Sequence, residues 1–536
     1  MSVDDYDARY ENFEWQLPIT FNYGRDVVDD WAARTPNHPA LIWSDDTGIS
    51  RTFTYAQISR LTNQFANVLR KHGVGVGDRV VIMLPRIPHW HIAMVGCIKA
   101  GAIPIPCIEM LTQKDVDYRV KHSGAIGVVT TLASTEKFRA LDGLLTRISI
   151  GYQDDWIDFD QAMVDASDHF VPVDTGLDDP AIIYYTSGST GMPKGVTHAA
   201  RALYAWRISS MFWHELTQDD VIWCTADTGW SKAGTSILFS PWSCGATVLF
   251  CEGRFHAARR LEYIQQFGVT VFCAAATEFR HLVNEQISAA ALTTLRMAIS
   301  AGESVNPEVL RQWQERTAVP LIEAYGQTET LMTVANYAGS PVKPGSMGRP
   351  LPGCRLVVVN EEGEVVAANG KGQLALVLPN PQFMLGYWED PERTAQTKIH
   401  REGVDYFLTG DMASIDEDGY IYYEGRSDDV ISSAGYRIGP MEVENALMEH
   451  PAVVECAVVA SPDELRGEVV KAFVVLRPDS VGDAALVDEL QHHVKSVTAP
   501  YKYPRKIQFV GELPKTITGK ILRRQLRDQE FAQTSA

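Results

Sequence analysis

Residues suited to holding a polyphosphate stand together in Thr186-Ser187-Gly188-Ser189-Thr190-Gly191-Met192-Pro193-Lys194-Gly195, directly behind the apolar run Ala181 to Tyr185. Glycines let backbone N–H groups turn inward around an anion, the hydroxyls of Thr186, Ser187, Ser189 and Thr190 add donors, and Lys194 adds a charge. The spacing is not that of GxxxxGK[ST]. A plain Ser/Gly turn is the competing reading, but it seldom sets a lysine after Gly-x-Pro behind a buried strand. A second group, Glu323-Ala324-Tyr325-Gly326-Gln327-Thr328-Glu329-Thr330, follows the apolar Val319 to Ile322. At a strand end, Thr328 could offer a hydroxyl to a phosphate and Glu329 a carboxylate to a hard cation such as Mg²⁺. Taken alone, a polar strand-to-loop turn explains that stretch equally well. Asp411 closes Tyr406-Phe407-Leu408-Thr409-Gly410-Asp411, and Arg426 follows fifteen residues on. An isolated carboxylate and arginine more often form an ordinary surface pair. Lys520 ends Leu513-Pro514-Lys515-Thr516-Ile517-Thr518-Gly519-Lys520, after a glycine and ahead of a helix.

The elements that must position these residues read as layered α/β structure. Strand-like runs occur at Arg79 to Leu84, Gly127 to Thr131, Ala181 to Tyr185, Thr247 to Cys251 and Thr270 to Cys273, with helical spacing over Tyr55 to His72 and Leu203 to Leu216. Arg355 to Val366 reads as a hairpin around Glu362-Gly363 and precedes the strand Gly372 to Leu378, which together suggest a β-rich lobe. The polar Gly425-Arg426-Ser427-Asp428-Asp429 marks a boundary between a large N-terminal domain (1–427) and a small one (428–536). The second reads strand (Val453 to Val459), helix-like turn (Asp463 to Glu468), strand (Lys471 to Leu476), helix (Ala484 to Val497) and a last helix from Lys520 to about Gln529.

The chain has 536 residues, which at roughly 150 per domain predicts three or four domains or lobes with ample core. Lys+Arg 48 against Asp+Glu 67 leaves a net charge of −19. Such an acidic surface disfavours nucleic acid or an anionic membrane as the main partner. Against it, Gln491 to Lys506 holds Lys495, Lys502, Arg505 and Lys506 with no acid. The 8 cysteines contain no CxxC pair, so scattered buried thiols in a reducing compartment are expected rather than a zinc or redox site. The start, MSVDDYDARYENFEW, lacks a basic, apolar leader, and no run approaches eighteen apolar residues. The expectation is a cytoplasmic protein with no membrane span.

In order and spacing these blocks resemble the adenylate-forming (AMP-binding) superfamily of acyl-CoA synthetases, luciferases and peptide-synthetase adenylation domains, over nearly the whole chain. Asp227-Thr228-Gly229-Trp230, Ser433 to Leu447, Arg466 to Val475 and Val494 to Lys506 are most similar to medium-chain acyl-CoA synthetases. The implied fold is α/β: layered subdomains with a β-rich lobe, plus a small mobile C-terminal α+β domain. The implied activity is an ATP-dependent, AMP-forming acid–CoA ligation in fatty acid metabolism. A carboxylate attacks the α-phosphorus of ATP and expels pyrophosphate; CoA then displaces AMP from the acyl-adenylate.

The resemblance implies roles residue by residue. Thr186 to Lys194 would hold the β- and γ-phosphates, and Glu329 would bind Mg²⁺. Gly302-Glu303-Ser304 with Glu323, Ala324 and Tyr325, continuing through Gly326 and Gln327, would enclose the nucleotide. Thr328 would contact the α-phosphate and the substrate carboxylate, and Asp411 and Arg426 the ribose. Lys520 would stabilise charge between the α-phosphate and the attacking carboxylate. Asp428 would be the hinge about which the small domain swings, withdrawing Lys520 and presenting Gly435 to the pantetheine arm. Ala434, Tyr436, Arg466, Lys495, Tyr503, Pro504 and Arg505 would join Gly435 in binding CoA. Trp230, Gly302, Gly326, Thr328 and Arg437 would line the acyl site.

Relatives restricted to acetate carry tryptophan at the position of Gly326. Glycine there implies a larger acid, with Trp230 limiting depth: short- to medium-chain, branched or small aromatic. Two departures stand out. Ala434 replaces a serine, and Lys232 places a charge near the acyl pocket that either faces solvent or selects a polar or second-carboxylate acid. The assembly that fits is a monomer or homodimer. The rival functions are adenylation with transfer to another acceptor, and a silent nucleotide- or acyl-binding homologue.

Overall fold

The computed structural model describes residues 3–186, 192–286, 292–302, 305, 307–337, 340–343, 345–426, 429, 431–433, 436–463, 467–498, 500–515 and 521–534. Parallel strands dominate the first half. Pro39–Ser44, Thr247–Cys251, Val221–Cys224, Val271–Cys273, Met297–Ala301 and Leu321–Gln327 lie side by side and parallel. Their short apolar runs are buried on both faces, as parallel strands require. Val271 and Cys273 feed one hydrophobic cluster while Phe272 between them feeds another. A second, five-stranded parallel sheet contains Ile103–Pro106, Arg79–Met83, Gly127–Thr131, Thr146–Ile150 and Ile157–Asp158.

Helices fill the space between these sheets. Pro88–Ala100 is buried at every position except His89, which suits a helix apolar nearly all round that shares one cluster with strands of both sheets. Its neighbour Tyr55–Lys71 starts with a reciprocal cap: Thr54 accepts from the Gln57 backbone N–H, and the Gln57 side chain accepts from the Thr54 N–H. The helical reading of Tyr55 to His72 is thus met to within a residue. That of Leu203 to Leu216 is not, because the chain makes a short helix, Ala200–Ala205, and then a wider turn, Ser209–Trp213. Trp206 and Trp213 are both fully buried, and tertiary packing there overrides the simple period.

After Leu321–Gln327 the chain reverses into the antiparallel Leu331–Ala335, and the sheet continues antiparallel through Ser346–Pro350, Ile421–Arg426, Val404–Ile415, Lys371–Leu378 and Leu356–Val359. This is the β-rich lobe. The expected hairpin at Glu362-Gly363 is a turn closed by Asn360 and Glu364, but its return strand is reduced to the single bridge Val359↔Val365. The partner of Leu356–Val359 is Lys371–Leu378 instead. A three-stranded antiparallel sheet joins Pro180–Thr186, Lys194–Ala199 and Gly386–Tyr387.

The last sheet belongs to the C-terminal domain: Ile431–Ser433, Tyr436–Ile438, Val453–Asp463, Gly467–Leu476 and the parallel Lys506–Phe509. The helix-like turn expected over Asp463 to Glu468 is corrected here. The two strands run to the pair Asp463↔Gly467, and residues 464–466 lie outside the described residues. Ala484–Val497 is helical as read, and the last helix is Arg523–Thr534, later than expected. All 8 cysteines are free and all but Cys244 are buried. Among the described residues no helix is long and apolar enough to cross a membrane.

Candidate functional site

The reversal after Leu321–Gln327 places Thr328 and Glu329 at the carboxyl end of the last parallel strand, the edge where open α/β sheets bind ligands. The turn is closed from both ends. The Thr330 N–H donates to the Gln327 carbonyl (3.2 Å) and the Gln327 N–H to Thr330 Oγ1 (3.2 Å). Glu329 is 8 % exposed. Its Oε1 accepts from Lys194 Nζ (2.7 Å) and from the Tyr387 hydroxyl (2.9 Å), and Lys194 also donates to Tyr387 (2.6 Å). Burial works to raise the Glu329 pKa, but the Lys194 charge and these hydrogen bonds outweigh it and hold the group below the usual carboxylate range. Lys194 pairs across the strands with Thr186, whose buried hydroxyl finds no hydrogen-bond partner among the described residues.

Thr328 is held on two sides. Its hydroxyl lies 3.1 Å from Ser231 Oγ, and its carbonyl accepts from His198 Nε2 at 2.6 Å. Burial lowers the His198 pKa to about 4, so the ring is neutral and donates through Nε2. Asp411, 4 % exposed, accepts at Oδ2 from the Tyr325 hydroxyl (2.5 Å) and Gln327 Nε2 (2.6 Å), and at Oδ1 from Arg426 (3.3 Å), its cross-strand partner. Burial raises the Asp411 pKa despite Arg426. The isolated pair of the sequence is therefore part of a network, centred on the buried Asp411, that reaches the strand leading to Thr328. Glu323, on that strand too, accepts from the Val305 N–H (2.7 Å), and burial pushes its carboxyl up to about 7. Beside it Ala301 ends the neighbouring strand. Gly302 follows with φ +98 and open space where a side chain would be, a conformation that favours glycine.

On the acyl side, Trp230 packs with Tyr185 and Trp388 against the cluster of Cys107 and Ile108. Lys232 does not run out to solvent: Nζ donates to the Ala301 carbonyl at 2.9 Å and the side chain is part-buried. For Gly326 the structure supplies a different reason from the open pocket expected. A Cβ there would lie 2.0 Å from the Leu331 carbonyl oxygen and 2.8 Å from the Met332 Cα, because the antiparallel partner crosses at a bulge. The position faces backbone, so a larger residue would displace the strand before it closed any pocket. In the C-terminal domain, Lys495 (3.9 Å) and Arg505 (4.8 Å) both stand over the Tyr503 ring, and Arg505 donates to the Tyr503 hydroxyl (2.8 Å). Pro504, next to it, is buried. Lys502 pairs with Glu442 (2.5 Å) and Lys506 with Ser461 (2.7 Å), which takes two of the four basic groups out of that cluster.

Ser187, Gly188, Ser189, Thr190, Gly191, Glu303, Ser304, Asp428, Ala434, Gly435, Arg466 and Lys520 lie outside the described residues, as do the side chains of Tyr436 and Arg437. Met192 and Pro193 are described; the Pro193 carbonyl accepts from the Tyr118 hydroxyl (2.8 Å). Sequence reasoning missed His198, Tyr387 and Ser231. His198 had a signal, since the strand period places Lys194, Val196 and His198 on one face. Tyr387 had none, being 58 residues from the glutamate it touches.

With this geometry in hand, comparison with known proteins is informative. The AMP-binding enzyme model matches residues 28–388 and the AMP-binding enzyme C-terminal domain model residues 442–520. The mouse mitochondrial acyl-coenzyme A synthetase ACSM3 is 41 % identical over 99 % of this chain and 94 % of its own. An acyl-CoA synthetase from Brucella canis superposes with a TM-score of 0.77 at 34 % identity, covering 99 % of both chains. The anthranilate CoA ligase AuaEII in complex with anthranoyl-AMP superposes with a TM-score of 0.88 at 29 % identity, covering 100 % of both. The chain belongs to the AMP-binding enzymes and is an AMP-forming acyl-CoA synthetase, an ATP-dependent acid–CoA ligase. The rivals of transfer to another acceptor and of a silent homologue recede accordingly.

One expectation is overturned. The curated relatives ACSM3 and ACSM4 are mitochondrial enzymes, which points to the mitochondrion rather than the cytoplasm. The free buried thiols indicated a reducing compartment, and a mitochondrial matrix satisfies that as well as a cytosol does.

Glu323 generates a pH prediction. Its folded-state pKa is raised, from 4.5 to about 7, so its contribution to stability is full below about pH 4.5 and is lost as pH rises through about 7. Glu323→Gln keeps the acceptor for Val305 and removes the charge. The variant should gain in melting temperature relative to wild type between pH 5 and 8, by an amount corresponding to about 3 kcal/mol at most. Parallel thermal unfolding curves across that range check it.

Proposed function

We propose that this synthetase activates a short- to medium-chain, branched or small aromatic carboxylic acid, in fatty acid metabolism, with Thr328 at the junction of acid and nucleotide. The observation that carries this is the convergence on one turn of a part-buried cation–carboxylate pair (Lys194, Glu329), a ribose-type acceptor network around the buried Asp411 (with Tyr325, Gln327 and Arg426) and a hydroxyl, Thr328, facing Ser231. The first can meet phosphates, the second a diol, and the third the α-phosphate and acid carboxylate between them.

In this reading Lys194, with the loop 187–191 and Thr186, receives the β- and γ-phosphates, and Gly302, Glu323, Ala324 and Tyr325 flank the adenine. His198 fixes the Thr328 carbonyl so that the hydroxyl stays aimed. Glu329 holds Mg²⁺. The donor set fits: Mg²⁺ commonly takes one or two protein carboxylates and completes its shell with phosphate and water. Among the described residues no cluster of three or more metal-binding side chains competes. A bound Mg²⁺ would neutralise phosphate charge. Lys520 stabilises the charge that builds as the carboxylate approaches phosphorus. CoA is held in the C-terminal domain by Lys495, Arg505 and Tyr503, whose ring and paired cations suit an adenine with phosphates, together with Pro504, Arg466 and Ala434 to Tyr436. Domain 428–536 swings about Asp428 relative to domain 1–427 between the half-reactions.

Trp230 bounds the acyl group, and Gly302 and Arg437 take part in binding it. Gly326 serves the strand crossing described above. A second reading of substrate class rests on Lys232, whose inward ammonium could meet a second polar group on the acid.

Lys520→Ala should cut adenylation by about 10²- to 10³-fold or more while sparing thioester formation from supplied acyl-adenylate. Separate assays of pyrophosphate release and thioester formation check this, and an equal fall in both would overturn the role. Asp428→Pro should show the reverse, because proline fixes φ where a hinge must change it. Single-turnover pyrophosphate release should survive while acyl-CoA formation fails. For the acid itself, each methylene that fits should add about 0.8 kcal/mol, nearly fourfold in kcat/KM, until Trp230 is reached. Trp230→Leu should move the optimum to longer acids across a panel of straight, branched, aromatic and second-carboxylate acids. An unchanged profile would remove Trp230 from the pocket.

A further inference from the structure

Arg280 and Glu455 face each other from the two domains. Arg280 leaves the helix Ala276–Leu282, directly after the parallel strand Val271–Cys273. That helix is pinned by Glu278, which accepts from Thr225 Oγ1 (2.6 Å) and from Arg260 Nε (3.1 Å). Glu455 lies on Val453–Asp463 of the C-terminal sheet. One Arg280 guanidinium nitrogen is 3.7 Å from Glu455 Oε1, and Lys515 Nζ is 2.8 Å from Glu455 Oε2. The carboxylate side chain is only 14 % exposed. Arg280 Nε is buried with no hydrogen-bond partner among the described residues. The nearby Glu455 charge therefore compensates an arginine that local bonding leaves under-satisfied.

Lys515 stands where the chain enters the segment that carries Lys520. The base of that segment is closed by the bridge Lys515↔Ile521 and by the Leu522 N–H donating to the Pro514 carbonyl (2.9 Å). Leu513, Ile521 and Leu526 then pack with Ala457, Val459 and Phe473 of the same sheet. The base is thus fixed to the strand that bears Glu455, and Glu455 is tied to the large domain through Arg280.

We propose that the ion pair Arg280–Glu455, shared with Lys515, is an electrostatic latch that sets the small domain in the adenylating pose, which makes Arg280 and Glu455 positioning residues of the first half-reaction. The inference rests on the domain alternation proposed above. Because the partners sit on different domains, rotation between half-reactions separates them, and the latch favours one pose by its differential interaction. The chain superposes over its whole length on the adenylate-bound AuaEII with a TM-score of 0.88, which supports assigning this arrangement to adenylation.

The test uses the full-length enzyme with the half-reactions measured apart. Arg280→Met and Glu455→Gln should each slow single-turnover pyrophosphate release about two- to fivefold, the scale of a partly exposed ion pair. Thioester formation from supplied acyl-adenylate should be unchanged or faster. Arg280→Lys should restore most of the loss, and high salt should narrow the gap between wild type and Arg280→Met. Equal slowing of both half-reactions, or no slowing of either, would overturn the latch. Lys520→Ala serves as the reference. If it leaves adenylation intact, the underlying site reading has failed; if it blocks adenylation while Arg280→Met does nothing, the latch alone has failed. Should Glu455→Gln lower the melting temperature, Arg280→Met, a change in the other domain, still decides the question.

Discussion

A buried, ionised Glu329 is the constraint on which the site depends. A carboxylate 8 % exposed stays charged only beside a cation, and Lys194 supplies it from a different sheet. Tyr387, from a third strand, bonds to both. Removing one partner of such a pair typically costs about 3–5 kcal/mol, because the other charge is left uncompensated. The three-stranded sheet must therefore stay docked against the turn at 327–330, which keeps Lys194 and Tyr387 on Glu329. The same pair brings a cationic donor and an ionised carboxylate to one point.

The reversal of strand direction after Gln327 does the rest of the positioning. Parallel strands end together, so Ala301 and Gln327 arrive at one edge, and Lys232 reaches the Ala301 carbonyl there. The antiparallel lobe that follows brings Asp411 and Arg426 back beside Tyr325 and Gln327, residues some 80 positions away in sequence. Gly326 belongs to this geometry: the returning strand passes so close that no side chain fits. One crossing thus explains the glycine, the Asp411 network and the turn at 327–330 together.

Between the domains the forces are of a different kind. Within each, sheets and helices bury apolar clusters; Arg280 and Glu455 meet across the boundary as a part-exposed ion pair. The strength of such a pair depends on ionic conditions.

What the sequence alone determined was the local grammar. Glycines and hydroxyls behind an apolar strand, a Thr-Glu pair at a strand end, and β-rich runs alternating with helical spacing pointed to layered α/β structure and to phosphate chemistry, because backbone freedom, donor type and hydrophobic period are properties of short segments. Helix Tyr55–Lys71 was legible for the same reason, its cap and period both local. Only the tertiary structure decided which of two readings applied where partners were distant. Asp411 with Arg426 joined a network around a buried carboxylate, Lys232 turned inward, Lys502 and Lys506 were taken by Glu442 and Ser461, and Gly326 proved to face a strand. Tyr387 and Glu455 left no trace in their neighbourhoods, since each acquires its role from a residue that only the fold brings near. The strands flanking 464–466 outran the helical reading because cross-strand pairing, a long-range energy, prevailed over local propensity.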